Sequence, residues 1–248
     1  METPKASDPE STVEASPVTA LSHKAVRRFS AVELLVVLVL WLVTAPIVYG
    51  MRYGELIEAV LASAVLVSAV VAVGARRRTL IAAVVLVTPA GLCKWLSRLR
   101  PDLVPPAAYA VAAIVFMLFV VVTLLRFVLR APRVNTEVLC AGISGYLLTG
   151  ILWALGYILL AQLVPGSFTF SMGQDRTMAG LDAVYFSFVT LCTVGYGDVV
   201  PTSHTARMLA VLEAIAGTFY VTVLIARLVA MHSTEKRSAI PSAPTGNE

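Results

Sequence analysis

Charged residues are scarce in this chain of 248 residues: Asp, Glu, Lys and Arg make up only 14% of it, whereas apolar residues make up 58%. The mean hydropathy is +0.84. A soluble domain of this length needs a polar surface that such a composition cannot supply. The scarcity of charge therefore excludes a soluble domain and indicates a membrane protein with several segments that face lipid.

Cysteine and histidine are also rare, with three residues of each type. The odd number of cysteines and their scattered positions, Cys93, Cys140 and Cys192, argue against a disulfide framework. The histidines stand apart from one another near the ends of apolar runs. Because the sequence shows no nucleophile–base pair and no metal-ligand cluster, we expect no enzymatic activity and no organic cofactor.

Six apolar runs have roughly the length of a membrane-spanning helix, which takes about 20 residues. The third is the weakest because Lys94 interrupts it. A seventh run, Leu181–Cys192, is too short to span and is predicted to be a re-entrant helix, with Asp182 near its N-terminal end, where a carboxylate is favoured. The six predicted spans are Ala31–Tyr49, Glu55–Ala75, Leu80–Leu96, Ala107–Leu129, Val138–Val164 and Ala206–Met231.

Basic residues predict the orientation of the chain. Most of the 19 Lys and Arg residues fall on one side of the membrane if both termini are cytoplasmic, and the cluster Arg76–Arg78 is the firmest anchor. We interpret that cluster as a topology signal and expect no nucleic-acid partner. The sequence thus predicts a multi-pass protein of the cell membrane, with residues 1–29 as a disordered cytoplasmic tail and residues 234–248 as a second tail.

The stretch TLCTVGYGDVVP, Thr190–Pro201, stands just before the last apolar run, and its glycines Gly195 and Gly197 alternate with larger residues. Glycine adopts backbone conformations that residues with a Cβ avoid. Extended backbone at membrane depth is tolerated only where it lines a polar path. We therefore expect an extended segment whose carbonyl oxygens, together with the Thr193 hydroxyl, form a ladder of hard ligands for a cation.

The stretch LDAVYFSFVTLCTVGYGDVVP, Leu181–Pro201, resembles the pore helix and selectivity filter of the tetrameric potassium channel family nearly throughout. The likeness is greatest to prokaryotic channels with six transmembrane segments and no cytoplasmic regulatory domain. It is good from about Val138 to Met231 and thin before that. Because this loop is the standard example of a potassium filter, its selectivity is implied by the resemblance and not by the residues alone.

The resemblance implies an all-α integral membrane fold with six transmembrane helices, a re-entrant pore helix and an extended filter. Residues 30–130 would form a four-helix domain similar to a degenerate voltage sensor, and residues 131–233 the pore domain. The chain contains a single TVGYGD, and one strand cannot surround an ion, so the resemblance implies a homotetramer in the lipid bilayer. K⁺, the only metal expected, would be coordinated at the filter by Thr193, Val194, Gly195, Tyr196 and Gly197.

The same resemblance assigns the residues around the filter. Tyr185 and Phe186 would belong to an aromatic cuff, and Tyr185 would donate a hydrogen bond to Asp198. Val189 stands where some relatives carry a glutamate, so a pair between that side chain and the filter aspartate cannot form. Val200, the second residue after Asp198, would face the outer mouth of the pore.

The last apolar run carries further candidates. Gly217 matches the hinge glycine of the inner gate; the alternative is close packing against the fifth span, and both can hold. Glu213, an ionisable residue at membrane depth, is either a protonated or hydrogen-bonded structural carboxyl behind the pore helix or a proton sensor. Helical spacing and the resemblance place three residues along the cavity and lower pore: Thr218, Val221 and Ile225.

The fourth apolar run lacks the pattern of a voltage sensor, which needs basic residues at every third position through the membrane. It has none before Arg126, and Arg126, Arg130 and Arg133 cluster at its inner end, as a positive-inside anchor would. We therefore expect passive K⁺ conduction with little or no voltage dependence. Two alternatives remain: an accessory or sensor subunit that does not itself conduct, and a coupled cation transporter.

Overall fold

Helices dominate the structure, a computed structural model that describes residues 17–48, 51–73, 77–99, 105–171 and 178–238. Two short strands, β1 (Phe168–Phe170) and β2 (Val199–Pro201), lie on either side of the helix Gly180–Leu191 in the chain. The helices in this part of the chain are α1 (Pro17–Val48), α2 (Gly54–Val73), α3 (Arg77–Leu99), α4 (Pro106–Arg130), α5 (Thr136–Leu163), α6 (Gly180–Leu191) and α7 (His204–Ser238).

Six of these helices are long and apolar enough to cross a membrane, as the apolar runs predict. The weak third run is among them, although Pro89 lies inside its helix. Helix α6 is apolar but only 12 residues long, which is too short to span. The six apolar segments are Ala31–Val48, Leu56–Val73, Arg77–Leu96, Ala107–Arg130, Thr136–Leu163 and His204–Ala230.

Helices extend further into both predicted tails than the sequence analysis expected. Helix α1 begins at Pro17, so it includes residues 17–29 of the tail predicted to be disordered; proline suits the first turn because an N–H would have no partner there. Helix α7 runs to Ser238, since no proline or glycine follows Gly217 before Pro241. The remainder of the two predicted tails, residues 1–16 and 239–248, lies outside the described residues.

Two hydrophobic cores organise the helices. In the first, α1 packs on α2, α3 packs on α4, and both α1 and α4 pack on α5; its buried residues include Leu34, Leu38, Val65, Phe116, Val120 and Leu148. The second core joins α5, β1, α6, β2 and the start of α7, and includes Tyr157, Phe168, Phe186, Val199 and Ala206. The second core therefore flanks the stretch between α6 and β2 at both of its ends.

The two strands pair antiparallel, with Thr169 opposite Val200, and the sequence analysis predicted neither of them. Backbone hydrogen bonds extend the pairing at both ends: Ser171 N donates to Asp198 O, and Thr202 N donates to Ser167 O, each at 2.8 Å. The paired strands therefore connect the residues just after the stretch 193–198 to the residues just after α5.

Candidate functional site

Helix α6 leads directly into residues 193–198, which we call the TVGYGD segment. Asp182 lies in the first turn of α6, as predicted from the sequence. At the other end of the helix, the amides of Val194 and Gly195 both donate to the carbonyl oxygen of Val189, at 2.9 and 3.3 Å. Val189 thus anchors the segment through its backbone, a role that its side chain did not reveal.

The backbone of the TVGYGD segment alternates in handedness. Thr193, Gly195 and Gly197 have positive φ angles of 58°, 58° and 77°, whereas Val194 and Tyr196 do not. Thr193 is the one residue with a Cβ that has a positive φ in the described part of the chain. In an ordinary strand successive peptide groups alternate between two sides, and this alternation of handedness allows successive carbonyl groups to face one side instead.

The carbonyl oxygens of the segment are open. Among the described residues, no donor makes a hydrogen bond to the carbonyls of Thr193, Val194, Gly195 or Tyr196. The side chains of the segment are also exposed to solvent in the single chain, and Tyr196 is 72% exposed. Buried carbonyls are almost always paired, so these four need water, a cation or a further protein chain.

The outer end of the segment is fixed by three hydrogen bonds. Tyr185 Oη donates to Asp198 Oδ2 at 2.8 Å, which is the pairing that the resemblance implied. The amide of Val199 donates to Asp198 Oδ1 at 3.0 Å, and Ser171 Oγ donates to Gly197 O at 3.0 Å. The hydrogen bond to Asp198 raises the pKa of Tyr185 above its ordinary value, so the phenol keeps the proton that it donates.

Phe186, the second member of the predicted aromatic cuff, points into the second core. It is 6% exposed and packs edge-to-face against Tyr157 and Phe168, with ring centroids 4.9 and 5.5 Å apart. Such arrangements place the positive edge of one ring against the negative face of the next. Phe186 therefore fixes α6 against α5 and β1, whereas Tyr185 reaches the TVGYGD segment.

The nearest neighbour of Gly217 is Leu191 at the end of α6, a contact that the sequence analysis did not name. A Cβ placed on Gly217 would overlap the carbonyl oxygen of Leu191 at the end of α6. The glycines of α5 are in contact with other residues: a Cβ on Gly142 would lie 2.9 Å from Leu224, and one on Gly150 would lie 2.7 Å from Phe188. Small residues thus bring α5, α6 and α7 into close contact.

Glu213 is buried within the single chain and has 0% exposure. Its Oε2 atom lies 2.5 Å from the hydroxyl of Tyr157 on α5, and its Oε1 atom lies 2.5 Å from the hydroxyl of Ser187 on α6. Sequence reasoning missed both partners because they are 56 and 26 residues away and neither is part of a motif.

The predicted pore-lining residues lie on a face of α7 that its own chain does not cover. Val221 and Ile225 are 38% and 55% exposed, and Thr218 is exposed as well. Val200 in β2 is 42% exposed. The structure therefore brings Tyr185 into contact with Asp198 and α7 into contact with α6. The residues predicted to line the pore are exposed in the single chain.

Comparison with known proteins identifies this part of the chain. Residues 152–233, which include every predicted site residue, match the family model described as "Ion channel". The chain is 38% identical over 91 residues to two pore potassium channel b of Oryza sativa subsp. japonica (35% of this chain, 26% of that protein). It is 37% identical over 76 residues to the inward rectifier potassium channel Kirbac3.1 of Paramagnetospirillum magnetotacticum (29% of this chain, 22% of that protein).

A third relative, two-pore potassium channel 4 of Arabidopsis thaliana, is 35% identical over 88 residues, covering 34% of this chain and 31% of that protein. The chain thus spans less than a third of the length of these curated relatives. No solved structure matches it at a significant level. The matched proteins are channels and not enzymes, in agreement with the sequence analysis. The stretch from residue 152 to residue 233 therefore matches an ion channel family model and is similar to parts of plant and bacterial potassium channels.

Proposed function

We propose that four copies of the chain assemble around a central axis into a pore that conducts K⁺ passively across the cell membrane. The observation that carries this proposal is the set of four open carbonyls, Thr193 to Tyr196, on a backbone of alternating handedness. Carbonyl oxygens arranged in rings replace the hydration shell of K⁺. The TVGYGD segment would supply one side of each ring, and K⁺ is the only ion it would hold.

Exposure of the segment supports assembly of several copies. Bare carbonyls cannot face lipid, and one segment cannot enclose an ion, so further chains must close the path. Tyr196 and Phe219, 72% and 65% exposed in the single chain, would then pack against neighbouring copies. A ring of identical chains closes when its interface repeats around a rotation axis, and the resemblance to potassium channels supports four.

In this assembly α6 acts as the re-entrant pore helix, and its partially negative C-terminal end faces the cavity, where it favours a cation. The face of α7 that carries Thr218, Val221 and Ile225 lines the lower pore. Both termini lie in the cytoplasm, because Arg126 and Arg130 mark the inner end of α4.

Conduction depends little or not at all on voltage. Helix α4 carries no basic residue before Arg126, and only residues 131–135 separate it from α5. A moving sensor needs several charges within the field, and a long amphipathic linker helix does not fit in five residues.

Purified protein reconstituted alone in liposomes tests the proposal. We expect K⁺ flux that is much larger than Na⁺ flux and that needs no gradient of a second ion. Intact tetramers without flux, over a range of pH, tension and lipid composition, would instead identify an accessory subunit. Flux that requires a co-ion gradient would identify a transporter.

A further inference from the structure

Two short contacts meet at the buried carboxyl group of Glu213, and a third extends from one of its partners. Tyr157 Oη lies 2.5 Å from Oε2, and Ser187 Oγ lies 2.5 Å from Oε1. Ser187 Oγ also lies 2.7 Å from the carbonyl oxygen of Gly150 on α5. The four groups therefore form one chain of hydrogen bonds that crosses from α7 to α5 and α6.

The number of protons in this chain decides the charge of Glu213. Each of the three contacts needs one proton. Tyr157 and Ser187 each have one hydroxyl proton to donate, and a backbone carbonyl has none. If Glu213 is ionised, one of the three contacts is two acceptors facing each other. If Glu213 carries a proton, all three are satisfied: Tyr157 donates to Oε2, Glu213 donates to Ser187, and Ser187 donates to Gly150.

The surroundings of Glu213 also favour the neutral form. The titratable groups that face it are the phenols of Tyr157 and Tyr146, both on α5, and Tyr146 in turn contacts the Cys192 thiol. Among the described residues, no Lys, Arg or His forms an ion pair with Glu213. A buried carboxylate without a cationic partner is strongly disfavoured.

We propose that Glu213 is a protonated positioning residue, which locks the inner helix α7 to α6 through its hydrogen bond to Ser187. This proposal rests on the proposed function in one respect, namely that α6 supports a selectivity filter. The support is direct, because Ser187 lies two residues before Val189, and the carbonyl of Val189 accepts hydrogen bonds from Val194 and Gly195. A displacement of α7 would reach the TVGYGD segment through this link.

Infrared difference spectroscopy of the purified full-length protein tests the proton itself. The wild-type spectrum minus that of Glu213→Gln should contain the C=O stretching band of a protonated carboxylic acid at neutral pH, and ¹³C-labelled glutamate should shift it. A carboxylate band instead would overturn the proposal. The infrared measurement does not require that the protein conducts. If the wild type shows the acid band but does not conduct, the proposed function is overturned and the assignment of a proton to Glu213 still holds.

Flux measurements test the positioning role. The amide of Glu213→Gln can accept from Tyr157 and donate to Ser187, as the neutral acid does, so this variant should keep at least half of the wild-type K⁺ flux and its selectivity. Glu213→Leu fills similar space without either hydrogen bond and should lose flux about tenfold or more. Rescue by glutamine and loss with leucine support the proposal. Equal damage in the two variants would overturn it, as would no damage in either.

Discussion

The phenol of Tyr185 donates a hydrogen bond of 2.8 Å to the carboxylate of Asp198, joining the middle of α6 to the outer end of the TVGYGD segment. Asp198 also accepts from the amide of Val199, where β2 begins. One carboxylate therefore holds together the helix before the segment and the strand after it. Because the hydrogen bond to Asp198 raises the pKa of Tyr185 above its ordinary value, the phenol keeps the proton that it donates.

Tyr185→Phe removes this hydrogen bond and leaves the ring in place. Because Tyr185 is 40% exposed, we expect the net loss at the low end for a hydrogen bond, roughly 0.5–1 kcal/mol. The lifetime of the conducting state should then fall about two- to fivefold, as measured by single-channel recording. Unchanged lifetimes would show that Asp198 is held by other contacts.

Gly217→Ala should separate α7 from α6, because the added Cβ overlaps the carbonyl oxygen of Leu191. We expect reduced thermal stability of the purified protein together with reduced K⁺ flux. Gly156→Ala is the matched control: Gly156 also lies inside a helix, but its Cβ would meet nothing within 4 Å, so alanine should be neutral or stabilise by up to about 1 kcal/mol. A pure hinge at Gly217 would instead lose flux without losing stability.

Val200→Tyr should create a binding site for external tetraethylammonium, whereas the wild type should be blocked poorly. Each aromatic face contributes roughly 0.5–1 kcal/mol to binding of a quaternary ammonium ion. Four faces exceed the 1.4 kcal/mol that a tenfold gain in affinity requires. Val200→Leu, which adds size without an aromatic face, is the control. Strong block of the wild type, or no gain with tyrosine, would mean that Val200 does not face the mouth.

Arg126→Gln combined with Arg130→Gln should leave the conductance–voltage relation unchanged. Both residues are exposed in the last turns of α4, and moving a charge through the field is worth about 2.3 kcal/mol per 100 mV only if the charge crosses the membrane. Macroscopic currents over a voltage ramp check this. A reduced slope in the double variant would show that α4 moves as a sensor.

The sequence predicts the membrane helices well because the bilayer imposes a length. A run such as Ala107–Leu129 must be helical and about 20 residues long to satisfy its backbone in lipid, and α4 has nearly these bounds. The sequence also predicts the extended TVGYGD segment, since Gly195 and Gly197 alternate with larger residues and allow conformations that residues with a Cβ avoid. The positive φ of Thr193 could not be predicted from the sequence, because residues with a Cβ seldom adopt this conformation and no local pattern indicates it.

Contacts distant in sequence could not be predicted. The strands Phe168–Phe170 and Val199–Pro201 are three residues long, too short to show an alternating pattern. The partners of Glu213 lie on two other helices. The sequence predicts that Gly217 is a hinge, a packing residue against the fifth span, or both, and only the position of α6 in space shows that Leu191 is its nearest neighbour. In each case tertiary packing, and not local preference, selects the partner.

The reversal potential of Gly195→Ala tetramers under K⁺ and Na⁺ gradients tests the central claim most directly. Gly195 has a φ of 58°, and alanine in that conformation costs roughly 1–2 kcal/mol in each subunit, which four subunits multiply. Gly166→Ala, at a φ of 78° in the turn after α5, is the control with the same strain outside the segment. The account predicts a K⁺-selective reversal potential for the wild type and Gly166→Ala, and loss of selectivity or of current for Gly195→Ala. Selective K⁺ current in Gly195→Ala equal to that of the wild type would contradict it.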